Sequence, residues 1–338
     1  MLVNQSFLAD FVLLGFSVSE QFEPFLFTLF LCIYLLSLVC NFLIMTVVSN
    51  DLKLHSPMYL FISVFSFIEV CYTSVIFPRL LHDLCSEDKS ISLSFCIAQF
   101  YFLFAFGSIE NFLLASMAYD RYMAICNPLR YLNIMTQKMC MFLVLGSFLG
   151  GILAPLVPAA YLSVLSFCGS NHIDHFYCDF PPLVHLFCRL DKVLIVESLF
   201  FFLACVVILG NFIFIGISYG LVIATTVKIS SSTGTMKTLS TCSSHLTVVG
   251  IFYGSIIFMY VRSDITSPTQ SDKLVSLLYC VITPSLNPLI YGLRNEELKK
   301  ALKRTWQRIH FSEIRIWLFI LLNVHLNDKD KQKHSKIK

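Results

Sequence analysis

Seven long runs of apolar residues constrain this chain more than any other feature of its sequence. A helix that crosses a bilayer needs about 20 mostly apolar residues, and it must satisfy its own backbone hydrogen bonds. With 57% hydrophobic and 13% charged residues, the chain falls in the membrane class and outside the soluble enzymes. The predicted fold is an all-α membrane protein, a bundle of seven transmembrane helices at 24–49, 57–81, 95–121, 138–160, 194–227, 238–261 and 271–292.

The distribution of charge predicts the orientation of the bundle. The segment before the first span carries Asp10, Glu20 and Glu23 without Lys or Arg, whereas the segment after the seventh span is basic. Cytoplasmic segments carry an excess of Lys and Arg, so we expect the N-terminus outside the cell and the C-terminus in the cytoplasm of a multi-pass plasma-membrane protein. Outer loops also hold basic residues such as Lys89 and Arg189, so the bias is not absolute.

The two ends of the chain carry further signals. The predicted division is an extracellular N-terminus at 1–23, a helix-bundle domain at 24–293 and a cytoplasmic tail at 294–338. Asn4 heads an Asn-Gln-Ser acceptor for glycosylation in the outer segment. The segment 295–308 alternates apolar and basic residues and predicts a short amphipathic eighth helix on the inner leaflet. The basic tail therefore indicates contact with anionic lipids rather than with nucleic acid.

Cysteines mark the predicted outer side, where disulfides persist. Cys96 lies at the start of the third span, and Cys168, Cys178 and Cys188 lie in the loop 161–193. Four cysteines permit three pairings, and their spacing does not choose among them. The loop is too long to be a simple connection, so we expect it to have structure of its own.

Two carboxylic acids, Glu69 and Glu110, interrupt otherwise apolar spans. An acid inside the membrane is a functional hypothesis, because its charge is costly in hydrocarbon. Two such acids cannot both stay ionised unless a cation or hydrogen-bond donors compensate them. Two interpretations stay open: a shared cation, with Na⁺ as the candidate, or a protonated pair that only packs the core.

Two motifs at the inner ends of spans carry a resemblance to a known family. Asp120-Arg121-Tyr122 ends the third span, and Asn287-Pro288-Leu289-Ile290-Tyr291 ends the seventh, while the run from Lys237 to Leu246 opens the sixth with small and polar residues. In combination, these motifs resemble odorant receptors, a branch of the rhodopsin-like G-protein-coupled receptors. The resemblance covers about 41–304, with Cys40 in place of the usual Gly and Leu239 in place of the usual Phe.

The resemblance implies a switch and a set of disulfides. It implies that Arg121 leaves Asp120 when the sixth helix moves outward and then receives a stimulatory, olfactory-type heterotrimeric G protein, which raises cAMP. It also implies the disulfides Cys96–Cys178 and Cys168–Cys188, and polar partners Asn41 and Asn287 for a sodium ion held by Glu69 and Glu110. The switch residues that it implies are Asp120, Arg121, Tyr122, Tyr219, His245, Asn287, Pro288 and Tyr291.

The resemblance further implies a ligand site in the bundle. None of its residues is charged, which favours a small neutral volatile odorant over an amine or a carboxylate. No catalytic constellation or cofactor motif is present in the sequence, so the chain is not expected to be an enzyme. The implied ligand residues are Leu103, Phe104, Gly107 and Ser108 in the third span, Val207 in the fifth, and Tyr253, Ile256, Ile257 and Tyr260 in the sixth.

Two rival functions are weighed against this one. A transporter or channel would also use acids and broken helices within the membrane, but transporters commonly carry inverted repeats, and none is visible here. A rhodopsin-like receptor for a ligand other than an odorant is the closer rival. The tail beyond Gln307 departs from the family pattern, and we expect it to be dispensable for coupling.

Overall fold

The structure of the protein is a computed structural model that describes residues 10–307, apart from 17, 165–170, 185, 188–189, 229–231, 263–269 and 306. The predicted glycosylation site at Asn4, the predicted pair Cys168–Cys188 and the tail beyond 307 lie outside the described residues.

Helices make up most of the described chain. Three short strands are β1 Asp10–Leu13, β2 Ser90–Ser92 and β3 His172–Ile173. A five-residue π-helix, Leu278–Ile282, separates the last two helices. The α-helices are α1 Glu23–Asn50, α2 Pro57–Cys85, α3 Leu93–Cys126, α4 Pro128–Ile134, α5 Gln137–Leu153, α6 Leu156–Val164, α7 Phe180–Val184, α8 Leu190–Lys228, α9 Ser232–Arg262, α10 Gln270–Leu277 and α11 Thr283–Arg294.

Membrane-length apolar helices lie at six of the seven predicted spans. Within the described residues, six helical stretches are long and apolar enough to cross a bilayer. The remaining predicted span, 238–261, lies in α9, whose described apolar stretch is the shorter Cys242–Ile257. The six long stretches are Glu20–Asn50, Pro57–Cys85, Leu93–Cys126, Gln137–Val164, Leu194–Lys228 and Lys273–Gly292.

Local sequence explains where several helices begin and break. Proline stands in the first turn of α1, α2 and α4, where its missing N–H costs no helical hydrogen bond. Ser92 caps α3 by accepting a hydrogen bond from the backbone N–H of Phe95, at 3.4 Å. The predicted span 138–160 is two helices instead of one, because Pro155 and Pro158 cannot donate to carbonyls of the preceding turn.

Helix α3 lies at the centre of the bundle and packs against α2, α5 and α8. Its approach to α5 is close because Gly151 of α5 has no side chain. A Cβ at that position would lie 2.3 Å from Cγ1 of Ile109 and 2.7 Å from its backbone nitrogen. Small residues let membrane helices approach one another in this way. The many buried side chains of α3 are therefore placed between several helices at once.

The end of the bundle at which α3 begins carries a three-stranded sheet in the order β2-β1-β3. We name this end the outer end after the predicted orientation, and the end at which α3 finishes the inner end. Strand β1 pairs antiparallel with β2 and parallel with β3. The N-terminal segment thus joins the loop between α2 and α3 to the long loop after α6. The long loop also holds the helix α7, so it has structure of its own, as its length predicts.

Candidate functional site

Arg121 and Asp120 form an ion pair at the inner end of α3. Nη2 of Arg121 lies 2.6 Å from Oδ2 of Asp120, and Nε lies 3.1 Å from the same oxygen. The hydroxyl of Tyr131, from α4, donates to Oδ1 of Asp120 at 2.8 Å. Asp120 is fully buried, so its charge depends on these two partners. Tyr122, the third residue of the motif, is half-buried.

A second contact joins α8 to α9 near this ion pair. The hydroxyl of Tyr219 and Nδ1 of His245 lie 2.6 Å apart, and both side chains are buried. Their rings stack with centroids 5.6 Å apart. The two residues come from distant parts of the sequence, and the contact holds the inner part of α9 against α8.

The motif at the end of α11 is directed into the bundle. Tyr291 is buried, its ring meets Phe65 edge to face at 6.0 Å, and its hydroxyl contacts the sulfur of Met117 at 3.9 Å. Pro288 lies within α11, and the side-chain amide of Asn287 reaches an acid of α2. Its Nδ2 donates to Oε1 of Glu69 at 2.5 Å.

Hydroxyl groups of α11 donate to backbone carbonyls of the π-helix near Pro284. Oγ1 of Thr283 donates to the carbonyl of Leu278 at 2.9 Å, and Oγ of Ser285 donates to that of Val281 at 2.7 Å. Ser and Thr commonly satisfy backbone groups in this way in membrane helices.

Glu69 and Glu110 are both buried, and they lie near enough for their charges to interact. The polar groups around them are only partly satisfied. Among the described side chains, oxygens with no hydrogen-bond partner include Oε2 of Glu69, Oε1 of Glu110, and the Oδ1 atoms of Asn41 and Asn287. Nδ2 of Asn41 donates to the carbonyl of Ser37 at 3.0 Å, which leaves its oxygen unpaired. Unpaired buried oxygens are unfavourable unless a donor or a cation meets them.

The implied ligand residues do not all lie in the same environment. Leu103, Tyr253 and Ile256 are buried, whereas Phe104, Gly107, Ser108 and Val207 are half-buried. Ile257 is 48% exposed and does not join the buried group, because consecutive helical residues point in directions about 100° apart. Nothing is described of the side chain of Tyr260.

Asn111 is a site residue that the sequence analysis missed. It is 1% exposed, its Oδ1 accepts a hydrogen bond from the hydroxyl of Tyr253, and its Nδ2 donates to the carbonyl of Val207 at 3.3 Å. It therefore joins two of the implied ligand residues from a third helix. The sequence alone could have indicated Asn111, because this residue is polar and interrupts the same apolar run as Glu110.

The long loop is fixed to the outer end of the bundle. A disulfide joins Cys96 of α3 to Cys178, which is the pairing that the resemblance implies. The side-chain Oε1 of Gln99, one turn further along α3, accepts a hydrogen bond from the backbone N–H of Cys178 at 3.0 Å. The loop is thus held to α3 by a covalent bond and by a buried hydrogen bond.

Lys273 of α10 fastens the same loop and the N-terminal segment. Its Nζ donates to the carbonyl of Gly15 at 2.8 Å and to Oδ1 of Asp174 at 2.5 Å. Gly15 adopts φ = +60°, which favours glycine, and its N–H donates to the carbonyl of His175 at 3.2 Å. Burial and the nearby Lys273 lower the pKa of His175 to about 3, so its ring is neutral when it contacts Ser276 at 3.2 Å.

This arrangement defines a class of protein. A multi-pass helix bundle with a disulfide-bonded loop over one end, two buried acids in its core and an Asp–Arg pair at the other end has the features that the resemblance to a membrane receptor implies. A sequence model of the family described as olfactory receptor matches residues 30–308. The chain belongs to the olfactory receptor family, whose members detect odorants through G-protein signalling.

Individual relatives agree with this assignment over most of their length. Human olfactory receptor 10A7 is 46% identical over 307 residues, which cover 89% of this chain and 95% of the relative. Human olfactory receptor 6N1 is 44% identical, with 90% and 97% covered. The olfactory receptor-like protein OLF1 of Canis lupus familiaris is 42% identical, with 89% and 96% covered.

Proposed function

We propose that this protein binds a small neutral volatile compound within its helix bundle and activates a stimulatory, olfactory-type G protein, which raises cAMP. The observation that carries the proposal is the ion pair at the inner end of α3, where buried Asp120 holds Arg121 at 2.6 Å. A guanidinium held by one acid can change partner when neighbouring helices move. The odorant shifts this balance by its higher affinity for the open conformation.

The proposed topology has seven spans, with α9 as the sixth of them, the N-terminus outside and the C-terminus in the cytoplasm. The disulfide between Cys96 and Cys178 supports this orientation, because disulfides persist on the oxidising side of a membrane. The Asp120–Arg121 pair lies at the opposite end of α3, where the proposed G protein binds.

Residues 296–305 are helical, and we assign them to the proposed amphipathic eighth helix. Leu298 and Ala301 are fully buried against the bundle. Nη2 of Arg304 lies 2.6 Å from Oδ2 of Asp51 at the end of α1. Lys299 and Lys300 are exposed, and on this topology they contact anionic lipids of the inner leaflet.

The character of the proposed ligand follows from the site residues. Leu103, Ile256 and Val207 are apolar, and Ser108 offers a hydroxyl to orient a bound molecule. An uncharged ligand held there gains affinity chiefly from the apolar area that it removes from water, about 25 cal/mol per Å². A charged ligand would find no opposite charge among these residues and would lose its hydration.

The decisive experiment is a screen of volatile compounds against cells that express the full chain, with cAMP as the readout. Arg121→Ala is the matched variant. It should reach the cell surface and lose the cAMP response to every active compound, because its guanidinium acts at the proposed G-protein interface. A normal response from well-expressed Arg121→Ala would contradict the proposed role of Arg121. Responses that appear only with another class of G protein would contradict the stimulatory coupling.

We also propose that Glu69 and Glu110 share a sodium ion. Four buried oxygens without hydrogen-bond partners support this, two from these acids and one each from Asn41 and Asn287. Oxygen ligands suit hard cations, and a positive charge would offset the repulsion between two buried carboxylates. Bound there, the ion would stabilise the resting packing of α1, α2, α3 and α11.

Amide variants test the cation site. Glu69→Gln and Glu110→Gln should each change basal cAMP and abolish its dependence on sodium concentration. Asp83→Asn is the matched control, because Asp83 is a buried acid of α2 that already pairs with Arg79 at 2.8 Å. If both Glu variants keep normal basal activity and sodium dependence, the two acids are a protonated packing pair.

A further inference from the structure

The side chain of Gln99 joins three parts of the outer end at one buried point. Gln99 lies in α3, one turn after Cys96, and is 8% exposed. Its Nε2 donates to the backbone carbonyl of Val75 in α2 at 3.2 Å, and its Oε1 accepts from the backbone N–H of Cys178 at 3.0 Å. The side chain that binds the backbone of Cys178 therefore stands next to the cysteine to which Cys178 is bonded.

The two contacts of Gln99 fix the direction in which its amide points. The opposite orientation would set the NH2 group against the N–H of Cys178 and the oxygen against the carbonyl of Val75, and both contacts would be repulsive. A carbonyl has two lone pairs, so that of Val75 can accept from Gln99 in addition to a helical donor. The bond to Val75 thus holds Oε1 of Gln99 toward the long loop.

The bond to Val75 needs only neighbouring parts of the chain. Helices α2 and α3 follow each other, are joined by residues 86–92 and pack together. Cys178 lies 79 residues beyond Gln99, so a much longer segment must close before the loop reaches α3. The amide of Gln99 can therefore take its orientation within the α2–α3 pair and offer an acceptor to the loop when it arrives.

Cys96 has several candidate partners on the predicted outer side. Cys85, at the end of α2, is an exposed free thiol, and Cys168 and Cys188 lie in the same loop, outside the described residues. Thiol–disulfide exchange depends on which sulfur a thiolate can reach, so a device that brings one cysteine to Cys96 selects the pairing. Gln99 follows Cys96 by three residues and shares its face of α3, which places its acceptor where such a device is needed.

We infer that Gln99 is a positioning residue for formation of the Cys96–Cys178 disulfide: it holds the backbone of Cys178 next to Cys96 and so selects this pairing. The oxidant is a disulfide-bearing oxidoreductase of the secretory compartment. One receptor thiolate attacks that disulfide and forms a mixed disulfide, and the second receptor thiolate displaces the oxidoreductase. The bond between Cys96 and Cys178 forms, two protons pass to water, and two electrons leave with the oxidoreductase as a dithiol. This step belongs to maturation and is independent of the ligand and of the G protein.

The first test maps the cysteine pairs of the full chain by peptide mass analysis, in receptor from the surface and from inside the cell. Gln99→Met keeps the length of the side chain without its amide. The ratio of Cys96 bonded to Cys178 over Cys96 that is free or bonded elsewhere should fall roughly two- to tenfold, the range for losing one buried hydrogen bond. Gln99→Glu keeps an acceptor for the N–H of Cys178, so its ratio should lie between those of wild type and Gln99→Met. Tyr101→Phe is the matched control, because it removes a bond of α3 to the carbonyl of Ile152, at 3.2 Å, and should leave the ratio unchanged.

The rate of reoxidation separates positioning from stability. Purified full-length receptor is reduced with a small dithiol, transferred to glutathione disulfide and sampled over time for the Cys96–Cys178 bond. Gln99→Met should reform this bond roughly two- to tenfold more slowly than wild type, while the exposed Cys85 reacts with glutathione disulfide at the wild-type rate. Wild-type pairing and a wild-type rate in Gln99→Met, with only a lower receptor yield, would overturn the inference in favour of a purely structural role. Equal effects of Gln99→Met and Tyr101→Phe would overturn it as well.

Discussion

The two ends of the helix bundle are held together by different kinds of bond. At the outer end, a disulfide, a three-stranded sheet and the contacts of Lys273 join the N-terminal segment and two loops to α3 and α10. At the inner end, side-chain hydrogen bonds join the helices: Tyr131 of α4 donates to Asp120 of α3, and Tyr219 of α8 contacts His245 of α9. Covalent and backbone bonds resist rearrangement, whereas single side-chain contacts exchange partners readily. On the proposed function, the outer end stays closed over the ligand and the inner end opens to the G protein.

The largest expected effect comes from removing the covalent tie at the outer end. Cys178→Ser should abolish surface maturation and odorant response, because loss of a native disulfide typically costs about 2–5 kcal/mol and would release the loop from α3. Surface labelling and cAMP measure this. Cys205→Ser is the control, since Cys205 is an exposed free cysteine in α8. Mass mapping that finds Cys96 and Cys178 both free in functional receptor would refute the contrast between the two ends.

A smaller effect is expected from removing the hydrogen bond between Tyr131 and Asp120 at the inner end. Tyr131→Phe removes the donor that lies 2.8 Å from Oδ1 of buried Asp120. The acid then holds Arg121 in a less stabilised arrangement, so basal cAMP should rise by roughly two- to tenfold, as for the loss of one hydrogen bond. The control Tyr119→Phe changes a tyrosine of α3 whose hydroxyl makes no hydrogen bond among the described residues. Unchanged basal activity in Tyr131→Phe would show that the pair needs no third partner.

The ion pair at the outer end should respond unequally to changes in its two partners. Lys273 is 2% exposed and Asp174 is 45% exposed. Asp174→Ala leaves a buried cation with only the carbonyl of Gly15, whereas Lys273→Met leaves an acid that water can reach. Asp174→Ala should therefore lower the thermal unfolding midpoint of the purified receptor more than Lys273→Met does. Wild-type midpoints in both variants would mean that this contact does not hold the outer end.

No effect is expected from removing the tail. A receptor truncated after Arg308 should keep its odorant response, since the contacts of 296–305 with the bundle, including Arg304 with Asp51, are retained. Dose–response curves at matched surface expression measure this. A truncation at 295 is the comparison that removes the tail helix as well. Loss of response in the first truncation alone would assign a role to the residues beyond 308.

Several features of the protein could be read from the sequence. The apolar runs fixed which segments can be helices in a membrane, since hydrophobicity and length act locally. The motifs around Arg121 and Asn287 placed the chain in its receptor family. Glu69 and Glu110 could be recognised as special because an acid stands out in an apolar segment. Such inferences need only neighbours along the chain.

Other features depended on contacts between distant residues. The sheet that joins β1 to two loops, the burial of Lys273 beneath Gly15 and the link from Asn111 to Val207 and Tyr253 each bring together residues far apart in the sequence. Asn287 could have bonded a carbonyl freed by a proline, yet it bonds Glu69. The sequence determined the helices and the kind of protein, because both follow from local composition and motifs. Only the tertiary structure decided which polar groups meet, because helix packing sets the directions and distances on which hydrogen bonds depend.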